Sequence, residues 1–255
     1  MIGLRKEDLD RIKDKVSGDF FYYESVGSTN IEALKHSDMP DKSIFFTENQ
    51  TSGRGRRGRR WEASKGGIYM TVLLKPQKIF DNISALTLAT GLAVSRVIPN
   101  SSIKWPNDII LGDKKVAGIL TETKISQNDV IIAVGIGINA NNTEFSGELE
   151  KKATSIYLYS GKTQDIAELV TKCYTEFLRI YERFKVYGFV KIKEEYEKKC
   201  VTLNRGILVL SDGKERVMTA VGINERGELL ASADGETETI NFGDVSVRGF
   251  LGYVK

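Results

Sequence analysis

Residues 43–74 read SIFFTENQTSGRGRRGRRWEASKGGIYMTVLL, and the reading of the middle of this stretch decides the fold. Between Gln50 and Trp61 stand five arginines (Arg54, Arg56, Arg57, Arg59 and Arg60) and three glycines (Gly53, Gly55 and Gly58), with no acidic residue. Glycine lets a backbone adopt positive φ and approach a ligand closely. Arginine adds a planar fork suited to carboxylate and phosphate oxygens. Such a loop is built around an anion. The spacing Gly53-x-Gly55-x-x-Gly58 formally satisfies a dinucleotide-binding fingerprint, and residues 43–47 could be the strand it requires. That fingerprint needs a helix next, with its N-terminus on the pyrophosphate. Here the loop runs instead into Ile68–Leu74, a β-branched and aromatic run that reads as a second strand. The arginines therefore sit on a loop joining two strands, and the dinucleotide fold is rejected on context. A disordered basic arm that touches nucleic acid is the other reading, and the strand-like runs on both sides favour an ordered loop.

The rest of the chain sets the bounds. Its 255 residues can bury one substantial core and a small second domain. With 41% hydrophobic and 28% charged residues it has the composition of an ordinary globular protein. A net charge of +3 makes the arginine cluster local, which argues against a protein that coats nucleic acid. No apolar run approaches the roughly 18 residues of a membrane span, and the charged N-terminus has no signal-peptide core. Cys173 and Cys200 lie far apart without metal-ligand spacing, so reduced thiols and a cytoplasmic location are expected. His36 is the chain's one histidine, in a polar stretch where exposure is expected. Histidine triads and histidine-rich metal centres are thereby poor candidates.

The pattern predicts an α+β fold with a mixed sheet. Helices are expected over 7–16 and over 30–37, the latter capped by Ser28 or Thr29. Strands follow at 43–48 and 68–75. A helix over 83–98 would bury Leu86, Ala89, Leu92, Ala93 and Val97 on one face. A strand cluster opens at Ile103 and includes 108–111, 116–123 and 130–138, with a hairpin turn at Gly112-Asp113. A long amphipathic helix over 163–187 carries an aromatic stripe that reads as core, and a charged helix follows over 190–199. Beyond Leu203, short strands alternate with Asp212-Gly213, Asn224–Gly227, Asp234-Gly235 and Phe242-Gly243, the pattern of a small all-β barrel. The boundary between domains 1–200 and 201–255 is expected near residue 201.

Three further segments carry chemistry. In Lys104-Trp105-Pro106-Asn107-Asp108 the proline holds Trp105 extended and marks a strand end, with Asn107 and Asp108 either facing a pocket or forming a plain turn. The hairpin at Gly112-Asp113 would return Lys115 beside Asp108, as a site residue or as a solvated charge. In Gly135-Ile136-Gly137-Ile138-Asn139 the missing side chains clear one face of a strand for a flat ligand or another backbone, and Asn139 can hydrogen-bond at its end. Ser28-Thr29-Asn30 offers hydroxyls and an amide at a helix start, where capping and ligand contact can coexist.

Taken together, Ser28-Thr29-Asn30, Gln50 with 53–59 and Trp61, Lys104–Asp108, Lys115–Leu120 and Gly135–Asn139 resemble the catalytic domain of biotin protein ligases. They stand in the family's order with comparable gaps over about residues 22–140. The tail beyond residue 201 resembles the family's SH3-like C-terminal domain in pattern. One departure is Glu62-Ala63-Ser64-Lys65, where the family usually has Ser-Pro, so the loop's course there is open. About 20 residues precede the first motif, which resembles the monofunctional type without a DNA-binding domain. The resemblance implies a class II synthetase-like fold, with ATP, biotin and Mg²⁺ as the small molecules. Biotin would be joined to ATP as biotinyl-5′-adenylate and then passed to one lysine of a biotin carboxyl carrier domain. By family position Arg54, Gly55 and Arg56 line the biotin and adenylate site, with Gly53, Arg59, Trp61, Lys104, Trp105 and Gly118 beside them. Gln50 supports the biotin end, and Ser28, Thr29 and Asn30 bond the ureido ring. An apolar slot under Trp61 and the glycines at 135 and 137 takes the valeryl chain. Lys115 meets the carboxylate or phosphate, and Asn107 and Asp108 assist metal or acceptor-lysine positioning. Neither specific DNA nor a membrane is an implied partner; a homodimer is. A lipoate or octanoate transferase and an arginine-rich nucleic-acid binder are the rival readings.

Overall fold

The computed structural model describes residues 4–77, 80, 82–126, 129–211, 214–242 and 246–249. Seven strands form the main sheet: β1 (Phe20–Tyr23), β2 (Ile44–Thr47), β3 (Ile68–Leu74), β4 (Ser101–Lys104), β5 (Asp108–Leu111), β6 (Lys114–Ile125) and β7 (Val130–Ile138). Their order is β1-β2-β3-β7-β6-β5-β4, with β1 parallel to β2 and the other neighbours antiparallel. The arginine loop therefore joins two adjacent antiparallel strands, β2 and β3, as its flanks require. Nothing in the sequence announced β1. Phe20-Phe21-Tyr22-Tyr23 is four residues long and half-buried throughout, and it is a strand through its pairing with β2.

Most of the helices cover one side of the sheet, and the short helix over 29–35 packs on the other, where Ala33 meets Phe45, Leu73 and Ala133. The helix α3 (Ala85–Val97) is buried at every position from Ala85 to Ser95. This corrects the expected one-sided pattern. Packed on β6 and on the long helix α6 (Ile166–Tyr187), α3 has apolar neighbours all round, so no polar face is needed. The Asp165 carboxylate accepts from the Glu168 N–H at 2.9 Å to start α6, whose Tyr174, Phe177, Tyr181 and Phe184 form the expected core stripe. α1 (Lys6–Lys13) packs on α6, α7 (Val190–Lys199) packs on both α3 and α6, and the short α4 (Leu149–Lys152) and α5 (Ile156–Ser160) stand between β7 and α6 in the chain.

A second, five-stranded antiparallel sheet follows: β8 (Gly206–Ser211), β9 (Lys214–Ile223), β10 (Leu229–Ala233), β11 (Glu236–Ile240) and β12 (Ser246–Gly249), in the order β11-β10-β9-β8-β12. Gly227 and Gly235 turn its hairpins at φ of 85° and 83°, where a side chain would be strained. Asp212, Gly213 and Gly243, expected at other turns, lie outside the described residues. The two sheets share one apolar cluster that runs from Ile103 and Trp105 to Ile207, Val209 and Leu229. Among the described residues no helix is long and apolar enough to cross a membrane.

Candidate active site

The open face of the main sheet carries a cavity of about 760 Å³. Its floor is the paired glycine row. Antiparallel register sets Gly118 of β6 opposite Gly137 of β7, and Leu120 opposite Gly135. A Cβ at Gly137 would lie 3.0 Å from the Trp61 indole, one at Gly118 2.6 Å from it, and one at Gly135 2.3 Å from Asn30 Oδ1. The glycines are thus the hollow into which Trp61 and Asn30 fit, which refines the expected slot: the indole lies directly on the glycine row. Trp61 Nε1 is buried there without a hydrogen-bond partner among the described residues.

The arginine loop forms the roof. It is ordered, with Gly55 N–H bonded to Arg59 O at 2.7 Å, Trp61 N–H to Gly53 O at 2.9 Å, and Arg57 in the left-handed region at φ 58°. Arg54 turns inward to Glu122 of β6, Nη2 to Oε1 at 3.1 Å. Arg56 reaches Asn107 Oδ1 from Nη1 at 3.2 Å and donates from Nη2 to the Phe242 carbonyl. Burial lowers the pKa of Arg56 from its usual value, partly opposed by the Asp108 carboxylate. The loop's downstream limb, left open by the sequence, is pinned at Ser64. Tyr69 Oη donates to its carbonyl at 2.8 Å, and Asn142 Nδ2 reaches its carbonyl and hydroxyl at 3.2 and 2.7 Å. Burial pushes the Tyr69 hydroxyl up to about 12.

At one end, the Gln50 Oε1 accepts from the Thr29 N–H at 2.9 Å and lies 3.2 Å from its hydroxyl. Thr71 Oγ1 is 2.8 Å from Thr29 Oγ1 and 2.6 Å from Asn30 Oδ1. Asn30 Nδ2 donates to Leu120 O at 3.1 Å and to Glu122 Oε2 at 2.8 Å. Ser28 holds the N-cap position of α2 (Thr29–Lys35) without a side-chain capping bond, so the expected hydroxyl cap is corrected. At the other end the β5–β6 hairpin returns Lys115 to Asp108, Nζ to Oδ1 at 2.5 Å, as its spacing implied. Lys115 Nζ also stands 4.9 Å from the Trp61 ring centroid.

Of the residues singled out in the sequence, Ser28, Thr29, Asn30, Gln50, Arg54, Gly55, Arg56, Arg59, Trp61, Lys104, Trp105, Asn107, Asp108, Lys115, Gly118, Gly135, Gly137 and Asn139 all line this cavity. Gly53 does not; a Cβ there would meet Trp61 O at 2.5 Å, so it permits the loop's return rather than touching the hollow. Trp105 lines the cavity while its indole is committed elsewhere, donating to Gly227 O at 3.0 Å in the second sheet. The Asn139 amide likewise donates to Thr154 O at 3.0 Å and holds the cavity wall. His36, expected exposed, is half-buried, its ring stacked 6.3 Å from Phe21. Sequence reasoning missed Tyr69, Thr71, Glu122, Asn142 and the wall at Phe145, Leu149 and Lys152. Thr71, Glu122 and Asn142 find their partners far away in the chain, and no local pattern marks any of these residues.

The geometry fits an anion held between guanidinium roof and lysine, with an apolar and amide-lined far end. Residues 22–139 match the biotin/lipoate A/B protein ligase family, and residues 202–248 match the biotin protein ligase C-terminal domain. A biotin--[acetyl-CoA-carboxylase] ligase of Paracoccus denitrificans is 32% identical over 235 residues, covering 87% of this chain and 98% of that one. The bifunctional ligase/repressor BirA of Bacillus spizizenii is 29% identical, over 92% of this chain and 76% of its own. Among solved structures, a biotin protein ligase of Aquifex aeolicus in complex with biotin and ATP superposes with a TM-score of 0.81 at 33% identity, covering 91% of this chain and 99% of that one.

Proposed function

The chain belongs to the biotin protein ligase family, and from that premise we infer that it is a biotin ligase that activates its vitamin with ATP and transfers it to protein. In the first step a biotin carboxylate oxygen attacks the α-phosphorus of ATP. The bond to the bridging oxygen breaks, and pyrophosphate leaves with biotinyl-5′-adenylate bound. In the second, a neutral lysine amine attacks the acyl carbon, an amide forms, AMP departs and the amine gives up its proton. The acceptor is a biotin carboxyl carrier domain, in keeping with the names of the relatives.

The carrying observation is the arginine roof closed over a hollow that also holds the Lys115–Asp108 pair. Two anions must meet in step one. Arg54, Arg56 and Lys115 offset their repulsion and the charge developing at phosphorus. The ureido ring lies toward Ser28, Thr29 and Gln50; the Asn30 amide, already engaged, orients that end. The mixed anhydride is short-lived in water, and the roof excludes solvent until the acceptor arrives. Once Lys115 turns to the phosphate, Asp108 is free to take the proton of the incoming amine.

Among the described residues no group of three acidic, cysteine or histidine side chains could hold a metal. Asp108 is engaged by Lys115. In this reading Mg²⁺ enters with the nucleotide on its phosphates, with Asp108 as the side chain that would assist it once Lys115 turns away. The reading further includes a domain boundary near residue 201, a cytoplasmic location and pairing of two copies into a homodimer, the last tested by sedimentation. Incubation with ATP, Mg²⁺ and biotin, followed by mass detection of biotinyl-adenylate, is the direct test. Absence of the adduct would overturn the reading. A thermal-shift comparison separates the lipoate alternative, since stabilisation by lipoate and not by biotin would reassign the substrate. Nucleic-acid binding through the loop would weaken steeply with salt, whereas Arg54 and Arg56 point inward here.

A further inference from the structure

Glu122 joins the roof to the far end of the cavity without lining it. Alternation along β6 puts it on the face of Gly118 and Leu120, two residues beyond the last of these. Its two carboxylate oxygens serve different elements. Oε1 pairs with Arg54 of the arginine loop at 3.1 Å, and Oε2 accepts from the Asn30 amide of α2 at 2.8 Å. The Asn30 amide gives its other proton to Leu120 O, so its orientation is fixed and Oδ1 is presented to Thr71. Thr71 continues to Thr29, and Thr29 to Gln50, where the arginine loop begins. The network is a closed circuit: it leaves the loop at Arg54, crosses Glu122, Asn30, Thr71 and Thr29, and returns to the loop at Gln50.

We propose that Glu122 is a positioning residue which latches the arginine roof to the ring-binding end of the cavity, so that occupancy of that end and ordering of the roof reinforce each other. The idea rests on the biotin-ligase reading for the identity of the ligand, but not for the existence of the latch. A carboxylate shared by an arginine and a buried amide is a charge-assisted pair of bonds. Half of the Arg54 side chain is exposed, so solvent screens its ion pair. The contact therefore biases the roof toward closure rather than locking it, and ligand binding can add to the bias.

The test uses the full chain and Glu122→Gln, which keeps the size and an acceptor for Asn30 but removes the charge that holds Arg54. In the absence of ligand, backbone hydrogen exchange in the segment 50–61 is expected to rise in the variant, with exchange in β6 and the melting temperature unchanged. In turnover, KM for biotin is expected to rise about tenfold while kcat changes less than about twofold. A merely structural residue would lower kcat in step with stability and leave no such split. Arg54→Gln should raise exchange of 50–61 to the same degree in the ligand-free protein, and the double variant should be no worse than Arg54→Gln alone. Equal exchange in wild type and Glu122→Gln, an unchanged KM, or additive effects in the double variant would each overturn the latch. Failure of the wild-type chain to form biotinyl-adenylate would sink the substrate assignment only, because the ligand-free exchange experiment decides the latch by itself.

Discussion

Arg56 is held from two sides, by Asn107 and by the Phe242 carbonyl, in a partly buried position. An anionic adenylate offers it a better partner than either. Charge-assisted bonds of about 1.5–3 kcal/mol each predict that Arg56→Gly folds normally but releases biotinyl-adenylate about ten- to a hundredfold faster. Collecting free adenylate by rapid filtration measures this, and unchanged retention would remove Arg56 from the lid. Asp108→Asn is expected to slow transfer to the carrier at least tenfold while adenylate formation in single turnover falls less. If both steps fell equally, Asp108 would be serving to orient Lys115 rather than to accept a proton. The pairing of these two was legible, because a two-residue hairpin turn at Gly112-Asp113 sets the return of the strand. Glu122, Tyr69 and Asn142 were not legible. Glu122 meets Asn30 and Arg54 across the sheet, Asn142 reaches Ser64 from 78 residues away, and Tyr69 bonds the Ser64 carbonyl through a loop whose course the sequence left open; a single glutamate within a strand carries no local mark.

At the level of elements, the glycine row explains why β6 and β7 fit the loop above them. Replacing Gly118 by alanine would put a Cβ 2.6 Å from the Trp61 indole and 3.1 Å from the end of the Lys115 side chain. The indole must lift. We expect Gly118→Ala to shift Trp61 fluorescence to longer wavelength, to raise KM for biotin severalfold, and to cost about 1–3 kcal/mol by overpacking in denaturant unfolding. A spectrum like that of wild type would show that the indole is not seated on this row in solution. The helix α3 teaches the reverse lesson. Its sequence suggested a single apolar stripe, yet its threonines and glycine are buried along with Leu86 and Leu92. Thr90 satisfies its hydroxyl on Leu86 O at 2.7 Å and Thr87 on Thr121 at 3.0 Å, so small polar residues sit inside at little cost.

Across the whole molecule, the second sheet reaches the site through backbone carbonyls. Gly227 O accepts from Trp105 Nε1 at 3.0 Å, the Phe242 ring lies 5.3 Å from the Trp105 ring, and the Phe242 carbonyl accepts from Arg56. Docking of that sheet and placement of a roof arginine are one event. Trp105→Phe keeps most of the apolar contact and strands the buried Gly227 carbonyl, a loss of about 1–3 kcal/mol expected in chemical denaturation. Adenylate should also escape faster from this variant. A loss of stability with retention unchanged would separate the two sheets functionally.

The order of strands 43–48 and 68–75 around a basic loop, the hairpin, the aromatic core stripe and the change to short strands after residue 203 were all set by local pattern: side-chain period, turn residues and glycine spacing act over a few residues. The chain's neighbours in space decided the rest. The edge strand β1, the burial of α3 on every side, the inward turn of Arg54 and Arg56, and the commitment of the Trp105 indole to Gly227 depend on contacts between segments distant in the chain, 122 positions for Trp105 and Gly227 and 186 for Arg56 and Phe242. Those contacts are fixed by which faces must be covered and which buried donors must find acceptors, a requirement that exists once the sheets and helices have packed.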